Sequence, residues 1–159
     1  MKYRVELLGE QVMEAFGAEL GRALEGRGVV YLHGDLGAGK TTLSRGLIRG
    51  LGHVGAVKSP TFTLVEPYEL NGLNIYHFDL YRLVDPEELE FLGIRDYFRD
   101  DSLCLVEWPE KGTGVLPSPD LTITIGAEGG GRLLTLEHHS AQGVMACQRL
   151  RDIRGEAQS

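Results

Sequence analysis

Cysteine is scarce: Cys104 and Cys147 are the only two in 159 residues. So far apart, they make neither a disulfide framework nor a zinc site. Cys104 lies in an apolar run, where a thiol behaves as a small buried hydrophobe. Long apolar runs are missing too. None approaches the roughly 18 residues a membrane span needs. The opening stretch Met1–Glu6 lacks the apolar core of a signal peptide, so a cytoplasmic protein with no membrane partner is expected. Positive charge is in deficit: 16 Lys and Arg against 23 Asp and Glu give a formal net charge of −7. Such a chain is poorly suited to grip a nucleic acid unaided, which leaves open action on one held by a partner. No Asn-Lys-x-Asp stretch occurs, so the usual guanine reader is absent.

Glycine, by contrast, is abundant, with 22 residues, and one cluster of it has a chemical pattern. Gly34-Asp35-Leu36-Gly37-Ala38-Gly39-Lys40-Thr41 fits the spacing of a phosphate-binding loop: Gly, four residues, Gly, Lys, then Ser or Thr. Glycines let peptide N–H groups turn inward around a polyphosphate. Lys40 then reaches the outer phosphates, and the Thr41 hydroxyl is placed for Mg²⁺. Gly28–His33 reads as a buried strand entering the loop. Thr42–Leu51 reads as the helix leaving it, its N-terminal dipole aimed at the phosphates.

The remaining pattern is that of one domain over residues 1–154, with a frayed tail over 155–159. Tyr3–Leu8 has strand character. Val12, Met13, Phe16, Leu20 and Leu24 recur at helical spacing over 9–24, which makes them a core-facing stripe. Phe62–Leu70 and Leu73–Asp79 read as strands joined by Asn71-Gly72, a strong hairpin signal. That antiparallel pair makes the sheet mixed. Asp85-Pro86-Glu87-Glu88 opens a helical segment broken near Gly93. Leu103–Val106 is a continuous apolar run, as in a strand covered on both faces near mid-sheet. Leu121–Ile125 and Leu133–His138 are further strands, and a last helix starts near Ala141.

A phosphate-binding loop needs an acidic partner at a neighbouring strand end to hold Mg²⁺ or its water. Glu107 ends the apolar run 103–106, and Asp79 ends the strand 73–79. Both belong to the carboxyl edge of the sheet, where ligands bind in open α/β folds. Glu107 ranks first, because so apolar a run seldom ends in an acid. Ser59–Thr63 supplies hydroxyls, with Thr61 as the candidate sensor of phosphate and metal. Trp108 either covers the site or packs. His33 and His77 read as structural histidines rather than ligands.

Four stretches together resemble one family: 34–42 (GDLGAGKTT), 59–63 (SPTFT), 77–82 (HFDLYR) and 106–109 (VEWP). The chain resembles TsaE, also called YjeE, the bacterial ATPase family of tRNA threonylcarbamoyladenosine formation. The resemblance implies a P-loop NTPase-like α/β fold, a three-layer sandwich with a mixed parallel and antiparallel sheet. It implies ATP binding and slow hydrolysis to ADP with Mg²⁺, beside the TsaD and TsaB proteins, with tRNA met only through that complex. Carried over by position, Asp35, Leu36, Gly37, Ala38, Gly39, Lys40, Thr41 and Thr42 hold phosphates. Thr41 and Glu107 bind Mg²⁺, Asp79 is needed for hydrolysis alongside Lys40, and Thr61 lies in a switch-like loop. The family often has Thr on the first helix near adenine, where this chain has Met13 with Gln11 nearby. Arg132, ending the late glycine turn, is expected to flank the nucleotide. Rival readings are a small-molecule kinase, a GTP-type switch and a nucleotide-stabilised scaffold. For the first, Arg95, Arg99 and Arg132 are the available phosphate clamps.

Overall fold

The computed structural model describes residues 2–156. Seven strands form one sheet: β1 (Lys2–Leu7), β2 (Gly28–His33), β3 (Val65–Leu70), β4 (Leu73–Asp79), β5 (Ser102–Glu107), β6 (Leu121–Glu128) and β7 (Gly131–His138). Their order is β1-β7-β6-β2-β5-β4-β3. The middle four, β6-β2-β5-β4, run parallel, and antiparallel pairs close both flanks. The mixed sheet predicted from the Asn71-Gly72 hairpin is present. Both turn residues take positive φ, 52° and 82°, as a tight two-residue hairpin requires.

The helices are α1 (Glu10–Leu24), α2 (Lys40–Gly50), α3 (Glu87–Phe91) and α4 (Ala141–Ile153). β5 is buried at all six positions, which explains the unbroken apolar run 103–106 within it. Successive side chains alternate faces. Leu103 and Leu105 join a core with residues of α1, α2 and α4, whereas Cys104 and Val106 join a second core with Leu89 of α3 and Ile94. The molecule is thus a three-layer α/β sandwich. On the edges the strands change character. β1 alternates exposed and buried residues, and Pro67 sits in edge strand β3.

The α1 stripe buries Met13, Phe16, Leu20 and Leu24, each worth roughly 1.5–3 kcal/mol of transfer free energy. Val12, predicted to share it, is 45% exposed and lies outside the stripe. α1 and α2 approach so closely that a Cβ on Gly46 would sit 2.1 Å from the Glu14 carbonyl oxygen. Glycine is the residue that permits this spacing, and the spacing places Met13 beside the start of α2.

At the opposite end of the sheet, Ser140 caps α4 by accepting from the Gly143 N–H (3.1 Å) and donates to Asp120 (2.6 Å). Asp120 also accepts from the Val29 N–H at 2.8 Å, which ties α4 to the start of β2. Beyond α4, Glu156 accepts from the Tyr3 hydroxyl and from Arg154. Of the tail predicted to fray, residues 157–159 lie outside the described residues.

Candidate functional site

β2 ends at His33 and α2 begins at Lys40, so residues 34–39 form the loop between them. The first N–H groups of a helix have no partner within it, and here they open α2 directly behind the loop. Ala38 N–H closes a turn on the Asp35 carbonyl (3.0 Å). Gly39 takes φ 113°, and a Cβ there would meet Met13 Cε at 3.0 Å. Arg132 of β7 braces the loop from outside: Nε donates to the Ala38 carbonyl (3.0 Å) and Nη2 lies 3.5 Å from that of Gly37.

Lys40 is 5% exposed. Its ammonium donates to the Gly34 carbonyl and lies 3.7 Å from the centre of the Trp108 ring. Burial lowers the Lys40 pKa from its ordinary value, and the carboxylates of Glu107, Asp79, Glu110 and Asp35 oppose that shift. Trp108 reaches this position by adopting left-handed backbone, φ 58°, immediately after β5. It therefore covers the loop lysine, and its ring also packs on Tyr81 at 5.0 Å.

β5 is the direct neighbour of β2 and pairs Glu107 with Leu32. The Thr41 hydroxyl lies 3.2 and 3.3 Å from the two Glu107 carboxylate oxygens. Asp79 is the register partner of Glu107 on β4 and points to the same face. Its Oδ2 accepts from Thr61 (3.0 Å) and Ser59 (3.3 Å), and its Oδ1 accepts from the Tyr81 N–H (3.0 Å). The structure thus brings Lys40, Thr41, Thr61, Asp79 and Glu107 to one hollow of about 260 Å³, which Leu36, Gly37, Gly39 and Thr42 complete. The Thr61 hydroxyl is engaged with Asp79 there.

A second hollow, about 370 Å³, opens on the other side of the loop. Ala38, Gly39 and Thr42 form one wall, Glu10 and Met13 of α1 another, and Gly130, Gly131 and Arg132 the third. Met13 therefore both packs in the core and faces this hollow, while Gln11 is exposed. Arg132 flanks the space by way of the loop carbonyls it holds. Arg95 and Arg99 line neither hollow.

Sequence reasoning took His77 as a structural histidine and did not foresee its contact with Glu107. Its Nε2 is 2.6 Å from Glu107 Oε2, with the two side chains 0% and 3% exposed. The available signal was its position two residues before Asp79, on the same strand face.

The donor set suits a hard cation with a phosphate ligand. Thr41 and Glu107 offer a hydroxyl and a carboxylate, both oxygen donors. Among the described residues no group of three or more His, Cys, Asp or Glu is arranged to hold a metal. A cation here would complete its shell from phosphate and water, which is the habit of Mg²⁺.

A mixed α/β sheet with this loop at the carboxyl end of its central strand defines a P-loop α/β protein. Residues 8–133 match the family described as "Threonylcarbamoyl adenosine biosynthesis protein TsaE", and the chain belongs to that family. Two relatives bear the name tRNA threonylcarbamoyladenosine biosynthesis protein TsaE. The Haemophilus influenzae protein is 68% identical over 97 residues, covering 61% of each chain. The Bacillus subtilis protein is 46% identical over 97 residues, covering 61% of this chain and 60% of the relative. The chain thus spans about three fifths of the length of these relatives. The crystal structure of Bacillus subtilis YdiB superposes with a TM-score of 0.80 at 30% identity, over 97% of both chains. Among the described residues no helix is long and apolar enough to cross a membrane.

Proposed function

We propose that this protein is a Mg²⁺-dependent ATPase that serves the formation of threonylcarbamoyladenosine in tRNA, acting beside TsaD and TsaB. The observation that carries this reading is the placement of Thr41 against Glu107 at the start of α2, with Lys40 in the same hollow. The phosphates of ATP bind the N–H groups of 35–42 and the Lys40 ammonium. Thr41 and Glu107 would hold Mg²⁺, which when bound would supply positive charge to the phosphate oxygens. Asp79, fixed by Thr61, Ser59 and the Tyr81 N–H, orients the water that attacks the terminal phosphorus. The bond to the bridging oxygen breaks, leaving ADP and phosphate.

Turnover by the isolated protein is slow. Lys40 is the only cation among the residues that line this hollow. Arg82, the nearest candidate for a second, stacks over Phe62 at 4.4 Å. An arginine supplied in trans is worth about 10³ to 10⁵ in rate for this chemistry, so a partner protein is the natural source of acceleration. The net charge of −7 accords with tRNA being held by that partner. The small-molecule kinase reading has less support, because of its three candidate clamps only Arg132 lines one of the two hollows, and its hydrogen bonds go to backbone carbonyls.

Mass spectrometry of digested tRNA, over many turnovers with TsaD and TsaB, tests the assignment. The modification is expected with this protein present and is expected to fail without it or with Lys40→Ala. Equal levels in all three reactions would overturn the pathway. Phosphate release from ATP, read in parallel, separates an ATPase from a kinase or a scaffold.

A further inference from the structure

We infer that His77 is a positioning residue, whose Nε2–H holds the Glu107 carboxylate in the orientation that presents it to Thr41 and the metal. The inference rests on the ATPase reading and assigns a new role within that site.

Three observations carry it. First, His77 Nε2 lies 2.6 Å from Glu107 Oε2 in a region closed to solvent. A contact this short and this buried fixes the carboxylate in rotation as well as in place. Second, the same carboxylate also meets Thr41, whose hydroxyl lies 3.2 Å from Oε1 and 3.3 Å from Oε2. Glu107 therefore stands between one partner on β4 and one on α2. Third, the other ring nitrogen, Nδ1, is buried with no hydrogen-bond partner among the described residues. A histidine kept only to satisfy the core would be expected to use both nitrogens, whereas this ring spends its polar contact on Glu107. The strand register explains how it gets there. Asp79 pairs with Glu107 and His77 with Leu105, so His77 stands one pleat below the acid, on its face. Carboxylates that bind metals are held by such outer partners, whose loss costs about 10- to 100-fold in metal affinity or activity.

Three substitutions separate positioning from packing. Gln places an amide N–H near the position of Nε2, Asn places one too short to reach, and Leu has none. Each variant is checked for folding by near-ultraviolet circular dichroism. Mn²⁺ affinity is then read by electron paramagnetic resonance in the presence of a non-hydrolysable ATP analogue, and analogue affinity is read separately in EDTA. His77→Leu and His77→Asn are expected to weaken Mn²⁺ binding by about 10- to 100-fold and to lower kcat more than they raise KM. Binding in EDTA should change little, and His77→Gln should recover most of the loss. If His77→Leu does not fold, the Asn and Gln pair still decides. Wild-type Mn²⁺ affinity in folded His77→Asn would overturn the inference, as would equal losses in Asn and Gln. If the wild-type protein binds no Mn²⁺ with the analogue, the ATPase reading fails first and this inference falls with it.

Discussion

The two hollows beside the loop share Gly37, Gly39 and Thr42 and otherwise differ in kind. The smaller is walled by ionisable and hydroxyl side chains: Lys40, Thr41, Thr61, Asp79 and Glu107, with Trp108 at its edge. Those groups come from α2, the 59–63 loop, β4 and β5, and two pairs of them are hydrogen-bonded, Thr41 with Glu107 and Thr61 with Asp79. The larger is walled mainly by glycine-rich backbone, by Glu10 and Met13 and by Arg132, whose described hydrogen bonds go to loop and strand carbonyls. One side holds the groups that can stabilise charge developing in a reaction. The other offers mainly shape, its two charged side chains being Glu10 and an Arg132 already engaged with backbone carbonyls. Interactions that strengthen only in the transition state raise kcat, while uniform contacts lower KM. Damage to the small hollow should therefore appear in turnover, and damage to the large one in affinity.

The largest expected effect is from Lys40→Ala. Removing the one cation of the small hollow should lower ATP turnover by about 10²- to 10³-fold, with circular dichroism unchanged. Near-normal phosphate release from the folded variant would break the comparison outright. Glu107→Ala comes next. It should reduce Mg²⁺-supported turnover on the order of 100-fold, because the metal loses a charged ligand worth several kcal/mol. Calorimetric titration with ATP in EDTA should show little change. Normal hydrolysis would instead make Asp79 the metal carboxylate.

How far each wall could be read from sequence follows the same division. Lys40, Thr41 and Glu107 were legible because local patterns mark them: a glycine spacing, and an apolar run ending in an acid. Asp79 was legible as a strand end. The segment between α2 and β4 was less so. A strand was predicted from Phe62, but β3 starts at Val65. Leu64 takes φ 69°, and its N–H closes a turn on the Pro60 carbonyl (2.7 Å), which turns Thr61 toward Asp79. His77 was read as structural because its contact with Glu107 depends on the register between β4 and β5, a non-local fact. The large hollow has no local signature. Its walls come from α1, the loop and the β6–β7 turn, brought together by helix packing and an antiparallel hairpin.

Two smaller effects probe that second side. Gly46→Ala would push a methyl carbon against the Glu14 backbone, so that one helix would have to shift. A destabilisation of roughly 1–3 kcal/mol is expected, read as a lowered Tm. Because α1 carries Glu10 and Met13, nucleotide affinity should fall with it. Arg132→Ala removes the brace on Ala38 and should raise KM for ATP by about 10-fold, the worth of one hydrogen bond from a charged donor, with kcat nearly unchanged. A fall in kcat alone would place Arg132 with the reacting groups and blur the division between the hollows.

The central claim is that metal and phosphate meet at Thr41 and Glu107. A crystal structure with Mn²⁺ and a non-hydrolysable ATP analogue, read by anomalous scattering, tests it most directly. The expected result is one manganese peak bound by the Thr41 hydroxyl and the Glu107 carboxylate, with the phosphates on the 34–41 loop. A peak held by Asp79 with Glu107 turned away, or a nucleotide seated elsewhere, would contradict it.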